Sequence, residues 1–402
     1  MSSAGAVLMV LCACSASDPD LDLANLESDG SETALTEFLE ELHEVVPPLL
    51  EANNVPGTAV GIIHNGTVLQ TLGFGFADNA KHSGITDQHL FNVGSISKVV
   101  AAWGVMHLVD QGALDLDKPV ADYLSRWQLP NSEFDHSEVT PRRLLSHTAG
   151  LSLSGYPGFL PGQKLPSIEA SLSGATNGAG AVEVEFAPGS KWQYSGGGYT
   201  LLQLLIEEIS GKSFADYMET EVLRPLGMTA SSYGWNEKTA GIAASPHGTD
   251  GQPIPDRRFT ALAAAGLQTT MSDMMRFALA SMNHLGGTYG TQGVLSEETL
   301  GLMLTPQAIK LPGPTSSLDP DVIDKDHDIF YGLGYQLSHV GPTHFASHGG
   351  VNEGWVALFY VAPVEGDGLV VMTNGSQGFD ICLEIACRWI AGLTGEECTV
   401  RE

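Results

Sequence analysis

Apolar residues recur along this chain with two different periods, and the switches between them mark out its elements. From 36 to 50 the spacing is three and four, which predicts a first helix, kinked or ended near Pro47-Pro48. Residues 58–64 and 67–73 are apolar runs split by Asn65-Gly66, a dipeptide that tolerates the left-handed backbone of a two-residue hairpin turn. After Ser95 the pattern is helical: Val99, Trp103, Met106 and Val109 form one stripe, and Gly112 supplies the stop. Short helical pieces at 114–119 and 140–146 precede a Gly-, Ser- and Pro-rich stretch at 152–180, which reads as a long surface loop. Further apolar helices are expected at 199–210 and 271–285. Strand signals return at 331–338, 355–362 and 368–374, before a closing helix at 378–392.

Strands at both ends with helices between predict an α/β chain of the α+β type. One antiparallel sheet, formed by both chain ends and flanked by helices, would carry an inserted, mostly helical lobe at about residues 100–325. The implied organisation is a leader and tether at 1–37, one folded domain at 38–392 and a tail at 393–402. A cleft between sheet and lobe is the natural place for a site.

Candidate chemistry begins with Ser95-Ile96-Ser97-Lys98. A serine and a lysine three residues apart are neighbours on one helix face. A serine hydroxyl is a poor nucleophile until a base removes its proton, and an adjacent amine can do so. At a helix N-terminus, free backbone N–H groups and the positive dipole end favour a developing oxyanion. The same positive end would lower the pKa of Lys98 toward a neutral amine. Such a four-residue pattern is common by chance, so the companions matter. Tyr194, in Lys191-Trp192-Gln193-Tyr194-Ser195-Gly196-Gly197-Gly198-Tyr199, could act as a phenolate or pass a proton, or could simply pack under its loop. Ser347-His348-Gly349-Gly350 leads toward a strand, and its glycines either let an edge backbone approach a substrate or make a plain turn.

Together and in this order, the three motifs resemble the serine β-lactamase and DD-peptidase superfamily. The match is to its class C β-lactamase-like branch, which includes esterases and D-aminopeptidases. That family carries S-x-x-K, then Y-x-N, then K-T-G or a variant such as H-x-G. Segments around Phe91-Asn92-Val93-Gly94, Leu144-Leu145-Ser146-His147-Thr148-Ala149-Gly150-Leu151, Arg224-Pro225-Leu226-Gly227-Met228 and Ala264-Ala265-Gly266-Leu267 look like family segments too. The resemblance implies that Ser95 is the acylated nucleophile, Lys98 its proton acceptor or the partner of Tyr194, and Tyr194 the general base, especially for deacylation. It implies substrate-binding roles for His348, Gly349, Gly350 and Gly196. The oxyanion hole would use the Ser95 N–H and one backbone N–H among residues 351–355. His348, in place of the family lysine, would donate to a substrate carboxylate or carbonyl, or else fix its own turn. His147 falls in a segment that is a structural turn in the family. No metal or organic cofactor is implied.

One departure narrows the substrate. Where Y-x-N places an asparagine, this chain has Gly196, which removes that side chain's hydrogen bonds and leaves room; Gly196-Gly197-Gly198 would make a roomy or mobile floor. The expected activity is that of a serine hydrolase acting through acyl-Ser95 on an amide or ester of a small acyl or peptide substrate, D-residues included. A true class C-like β-lactamase and a catalytically silent penicillin-binding or sensor protein are the alternatives.

Charge and leader bear on partners. Eighteen Lys and Arg against 47 Asp and Glu leave a formal −29, which argues against nucleic acid or an anionic membrane surface as a partner. The acidity reads as a surface adaptation or as an acidic mouth for a cationic substrate. No apolar run is long enough to span a bilayer. Leu11-Cys12-Ala13-Cys14 resembles a bacterial lipobox with Cys14 as lipid anchor, although no Lys or Arg precedes it, so a periplasmic or membrane-anchored protein is expected and a cytoplasmic one is the alternative. Cys382 and Cys387 are awkwardly spaced to pair with each other, and either could bridge to Cys398. The sequence leaves the oligomeric state open.

Overall fold

The computed structural model describes residues 30–78, 82–235, 240–282, 293–308 and 329–396. The lipobox with Cys14, Cys398, and positions 309–325 of the expected lobe lie outside the described residues.

The strands are β1 (Gly57–His64), β2 (Thr67–Asp78), β3 (Ser83–Gly84), β4 (Leu90–Asn92), β5 (Ser232–Tyr233), β6 (Leu267–Thr270), β7 (Phe330–Tyr331), β8 (Gln336–Val340), β9 (Thr343–Asn352), β10 (Trp355–Ala362) and β11 (Asp367–Thr373). The helices are α1 (Gly30–Ala52), α2 (Ile96–Asp110), α3 (Pro141–Leu145), α4 (Ile168–Leu172), α5 (Gly196–Ser210), α6 (Phe214–Met218), α7 (Leu262–Ala265), α8 (Met271–Ser281), α9 (Glu297–Met303) and α10 (Phe379–Thr394).

The main sheet runs β3-β2-β1-β11-β10-β9-β8-β7, with antiparallel pairing throughout, so the two chain ends meet where β1 pairs β11. The hairpin between β1 and β2 turns at Asn65 and Gly66, both at positive φ (50° and 68°), as its two-residue loop requires. Helices cover both faces: α1 and α10 pack on one, with Phe38, Leu42, Ile385 and Trp389 in its core, and α2 and α8 on the other. That double cover explains why β10 and β11 are buried along their whole length and read as unbroken apolar runs. The helical lobe hangs between β4 and β7.

Several expectations change. The first helix starts at Gly30, inside the stretch expected to be a tether, because Leu35 and Leu39 extend its apolar face onto the sheet core. It also runs through Pro47 and Pro48 to Ala52. Both prolines are exposed, as are His43 and Glu44, so the carbonyls that lose their partners face solvent. Helix α2 is buried nearly all round rather than along one stripe, and Val109 is one of its less buried residues. The stretch 152–180 contains α4. Residues 347–350, read as either a close-approaching edge backbone or a plain turn before a strand, lie within a full strand, β9, and the small sheet β4-β6-β5 was too short to signal itself. Cys387 is disulfide-bonded, whereas Cys382, on the buried face of α10, is a free thiol.

Candidate active site

Strand β4 delivers the chain to Ser95 through a tight turn. Asn92, buried at its end, accepts the Gly94 N–H at 2.9 Å and the Asn352 side-chain amide at 2.7 Å, and reaches the Ala265 carbonyl at 3.3 Å. Gly94 takes φ +50°, and Ser97 Oγ donates back to its carbonyl while accepting the Leu267 N–H. One small knot thus ties the start of α2, the end of β9 and the turn after α7. Sequence reasoning did not single out Asn92 or Asn352. The N–H groups of Ile96, Ser97 and Lys98 close onto Val93, Gly94 and Ser95, so the first turn of α2 is less open than expected of a helix end.

The second half of β9 lies against this turn. Beyond Ser347, β8 no longer pairs it, so residues 348–352 present a free edge toward Ser95. A Cβ built on Gly350 would meet Val93 O at 1.9 Å and Ser95 N at 3.0 Å. Only glycine permits that approach, which brings the edge backbone beside the Ser95 amide.

Lys98 is 1% exposed. Its Nζ lies 3.0 Å from Ser95 Oγ, donates to Ala264 O at 2.8 Å, and sits 4.8 Å from the centre of the Tyr194 ring. Burial, rather than the helix end, lowers its pKa from 10.5 to about 7, so the neutral amine is accessible at ordinary pH. The Tyr194 hydroxyl is buried beside Ser95 and has no well-formed hydrogen bond among the described residues. Burial pushes its pKa up, against the expectation of a resting phenolate, and Ser95 offsets only part of this.

His348 lies within β9, not in a turn before it. Its Nδ1 meets Gly349 O at 2.5 Å and its Nε2 meets the Tyr331 hydroxyl at 3.0 Å. A carbonyl can only accept, so Nδ1 carries the proton and Nε2 accepts from Tyr331. Burial and the nearby Lys98 lower its pKa to about 3. The ring is therefore neutral with both nitrogens engaged, and it brings neither the charge of the K-T-G lysine nor a free donor for a substrate carboxylate.

Gly196 also departs from expectation. It opens α5 behind the N-cap Ser195, whose Oγ accepts the Gly198 N–H and donates to Ser152 O. The space an asparagine would occupy is filled: a Cβ on Gly196 would lie 2.9 Å from Ser154 O, and one on Gly197 2.7 Å from Ser152 O. The three glycines form a packed helix start, neither roomy nor loose, because the 152–155 backbone rests on Gly196 and Gly197 and Leu144 closes over Gly198. Leu153 in that backbone holds φ +65°.

Comparison with known proteins agrees with this architecture. The family model described as Beta-lactamase matches residues 42–383. Penicillin-binding protein PbpX of Bacillus subtilis (strain 168) is 28% identical over 301 residues, 73% of this chain and 64% of that protein. The chain spans smaller shares still of other curated relatives. The octameric penicillin-binding protein homologue from Pyrococcus abyssi superposes with a TM-score of 0.72 at 24% identity, over 89% of this chain and 78% of the other. SurE, solved with D-Leu, gives a TM-score of 0.65 at 22% identity, over 93% and 77%. At those identities the two structures speak for the fold alone. With most of its length matched by the family model, the chain belongs to the β-lactamase family, within the serine β-lactamase and transpeptidase superfamily.

Proposed function

We propose that the protein is a serine hydrolase that cleaves an amide or ester through an acyl-Ser95 intermediate. The observation that carries this is the contact between Ser95 Oγ and a desolvated lysine amine at 3.0 Å. Neutral Lys98 takes the hydroxyl proton as Oγ bonds to the substrate carbonyl carbon. The oxyanion is held by the Ser95 N–H and the β9 edge at Gly350–Val351. The leaving amine or alkoxide departs with a proton relayed from Lys98 through Tyr194. Water then attacks the ester, giving its proton to the same pair, and Ser95 regains its own. Tyr194, protonated at rest, is a relay in both half-reactions: it passes the proton out from Lys98 in acylation, and in deacylation it hands its proton to neutral Lys98 as it takes one from the attacking water.

The finer reading is a peptidase or esterase for small acyl or peptide substrates. Two features support it over efficient β-lactam turnover: the neutral, engaged His348 and the filled space at Gly196. D-residues are kept among the candidate substrates on the family resemblance. The Cys387 disulfide supports an oxidising compartment and so an exported protein, for which Cys14 of the lipobox-like Leu11-Cys12-Ala13-Cys14 would be the lipid anchor. The test is a panel of p-nitrophenyl esters, D-amino-acid amides, D-Ala-D-Ala peptides and nitrocefin, against wild type and Ser95→Ala. Turnover of esters or amides that Ser95→Ala loses supports the reading; nitrocefin as the best substrate would make the protein a β-lactamase. Wild-type turnover by Ser95→Ala would overturn the mechanism.

A further inference from the structure

The loop that carries Tyr194 is held from an unexpected quarter. The two residues that flank it both donate their backbone N–H to one residue, His147: Gln193 to its carbonyl at 2.8 Å and Ser195 to its ring Nδ1 at 3.1 Å. The imidazole also lies against the tyrosine itself, with ring centres 4.4 Å apart, and is walled by Tyr199 and Tyr331 at 5.2 and 4.8 Å. A backbone N–H can only donate, so Nδ1 is the bare nitrogen and the proton sits on Nε2. That Nε2–H is buried and makes no hydrogen bond among the described residues. The residue takes φ +58°, which points its ring and its carbonyl at the same short loop.

We propose that His147 is a positioning residue for Tyr194, acting as a neutral acceptor that fixes the backbone on both sides of the tyrosine. The inference rests on the reading of Tyr194 as relay and base. A protonated ring could not accept from Ser195, and burial together with Lys98 and His348 keeps it unprotonated by lowering its pKa well below the ordinary value. The consequence is geometric. Without the Nδ1 contact the Ser195 flank keeps only its side-chain bonds to Ser152 and Gly198, the backbone next to Tyr194 is no longer fixed there, and the hydroxyl loses its set approach to Ser95 and Lys98. Displacement of a reacting group by about 1 Å can cost about 100-fold in rate.

Asparagine discriminates this role from general packing. Its Oδ1 stands as many bonds from Cα as Nδ1 does, and it tolerates the left-handed backbone, as does glycine. His147→Asn therefore keeps the acceptor and loses the ring, while His147→Gly loses both. With p-nitrophenyl butyrate as probe, and fluorophosphonate labelling of Ser95 as a second readout, His147→Gly should lose about 10- to 100-fold in kcat with KM little changed, and His147→Asn less than about 5-fold. In a Tyr194→Phe background, His147→Gly should cost no more than about 2-fold further, since residues acting as a unit are non-additive. Thermal unfolding of each variant checks folding, and His147→Leu replaces the glycine variant if that one does not fold. Equal losses in the glycine and asparagine variants, or full additivity with Tyr194→Phe, would overturn the proposal. If Tyr194→Phe is itself silent, the reading of Tyr194 falls; if Tyr194→Phe is slow and His147→Gly is not, the positioning role alone falls.

Discussion

Lysine 98 supplies the sharpest prediction, because its burial makes it a liability for the fold as well as a base. The unfolded chain titrates this amine at 10.5, the folded chain at about 7. Between those values the unfolded state binds one proton more, so raising the pH favours folding by about 1.4 kcal/mol per unit, about 5 kcal/mol in all. Below pH 7 both states are charged and the full penalty stands; above 10.5 both are neutral and it vanishes. Lys98→Met removes the penalty and loses the contacts to Ser95 and Ala264, of which the orphaned carbonyl costs about 1–3 kcal/mol. The variant should therefore be about 2–4 kcal/mol more stable than wild type at pH 6 and about 1–3 kcal/mol less stable near pH 10.5, with the difference reversing in between. Urea midpoints across this range measure it, and the many other acidic groups cancel in the comparison. A difference that does not change with pH, or a variant less stable at pH 6, would show that Lys98 stays charged at rest and refute the neutral-base argument.

Other outcomes follow from the same geometry. The pH profile of kcat/KM should rise through about 7 as Lys98 loses its proton, and a profile flat from pH 5 to 9 would remove the lysine from acylation. Gly350→Ala drives a methyl group into Val93 O and should push the β9 edge off Ser95, cutting kcat/KM about 100-fold or more with p-nitrophenyl esters; wild-type rates would place the oxyanion site elsewhere. Gly196→Ala should destabilise the fold by about 1–3 kcal/mol in urea titrations, and Gly196→Asn should not raise nitrocefin turnover, because Ser154 O fills the place of the side chain. A stable Gly196→Asn variant with new nitrocefin activity would show that the 152–155 backbone yields.

What the sequence made legible was mostly local. Ser95 and Lys98 share a helix face by spacing alone, and Asn65-Gly66 specifies its hairpin without help from the rest of the chain. The helix-flanked sheet was foreseeable in outline, since runs such as 355–362 and 368–374 are apolar throughout only if both faces are covered, but the order of its strands was not. Contacts across the chain were not. His348 could be read as a donor to substrate in place of the family lysine, because nothing local shows that Tyr331, 17 residues away, occupies its Nε2. Gly196 looked like an opening because nothing in Tyr194-Ser195-Gly196 announces that Ser154 packs over it. The Asn92–Asn352 link joins residues 260 apart, and no periodicity carries such information. The direction of the Lys98 shift was expected, but its cause is burial on all sides of α2, which a pattern of bulky residues understated.

The central claim is the covalent bond to Ser95, and intact-protein mass spectrometry after brief exposure to a fluorophosphonate tests it most directly. The account predicts one adduct per chain, mapped by digestion to the peptide containing Ser95, absent from Ser95→Ala and slowed in Lys98→Met. An unmodified wild-type protein, or an adduct that survives Ser95→Ala, would contradict it.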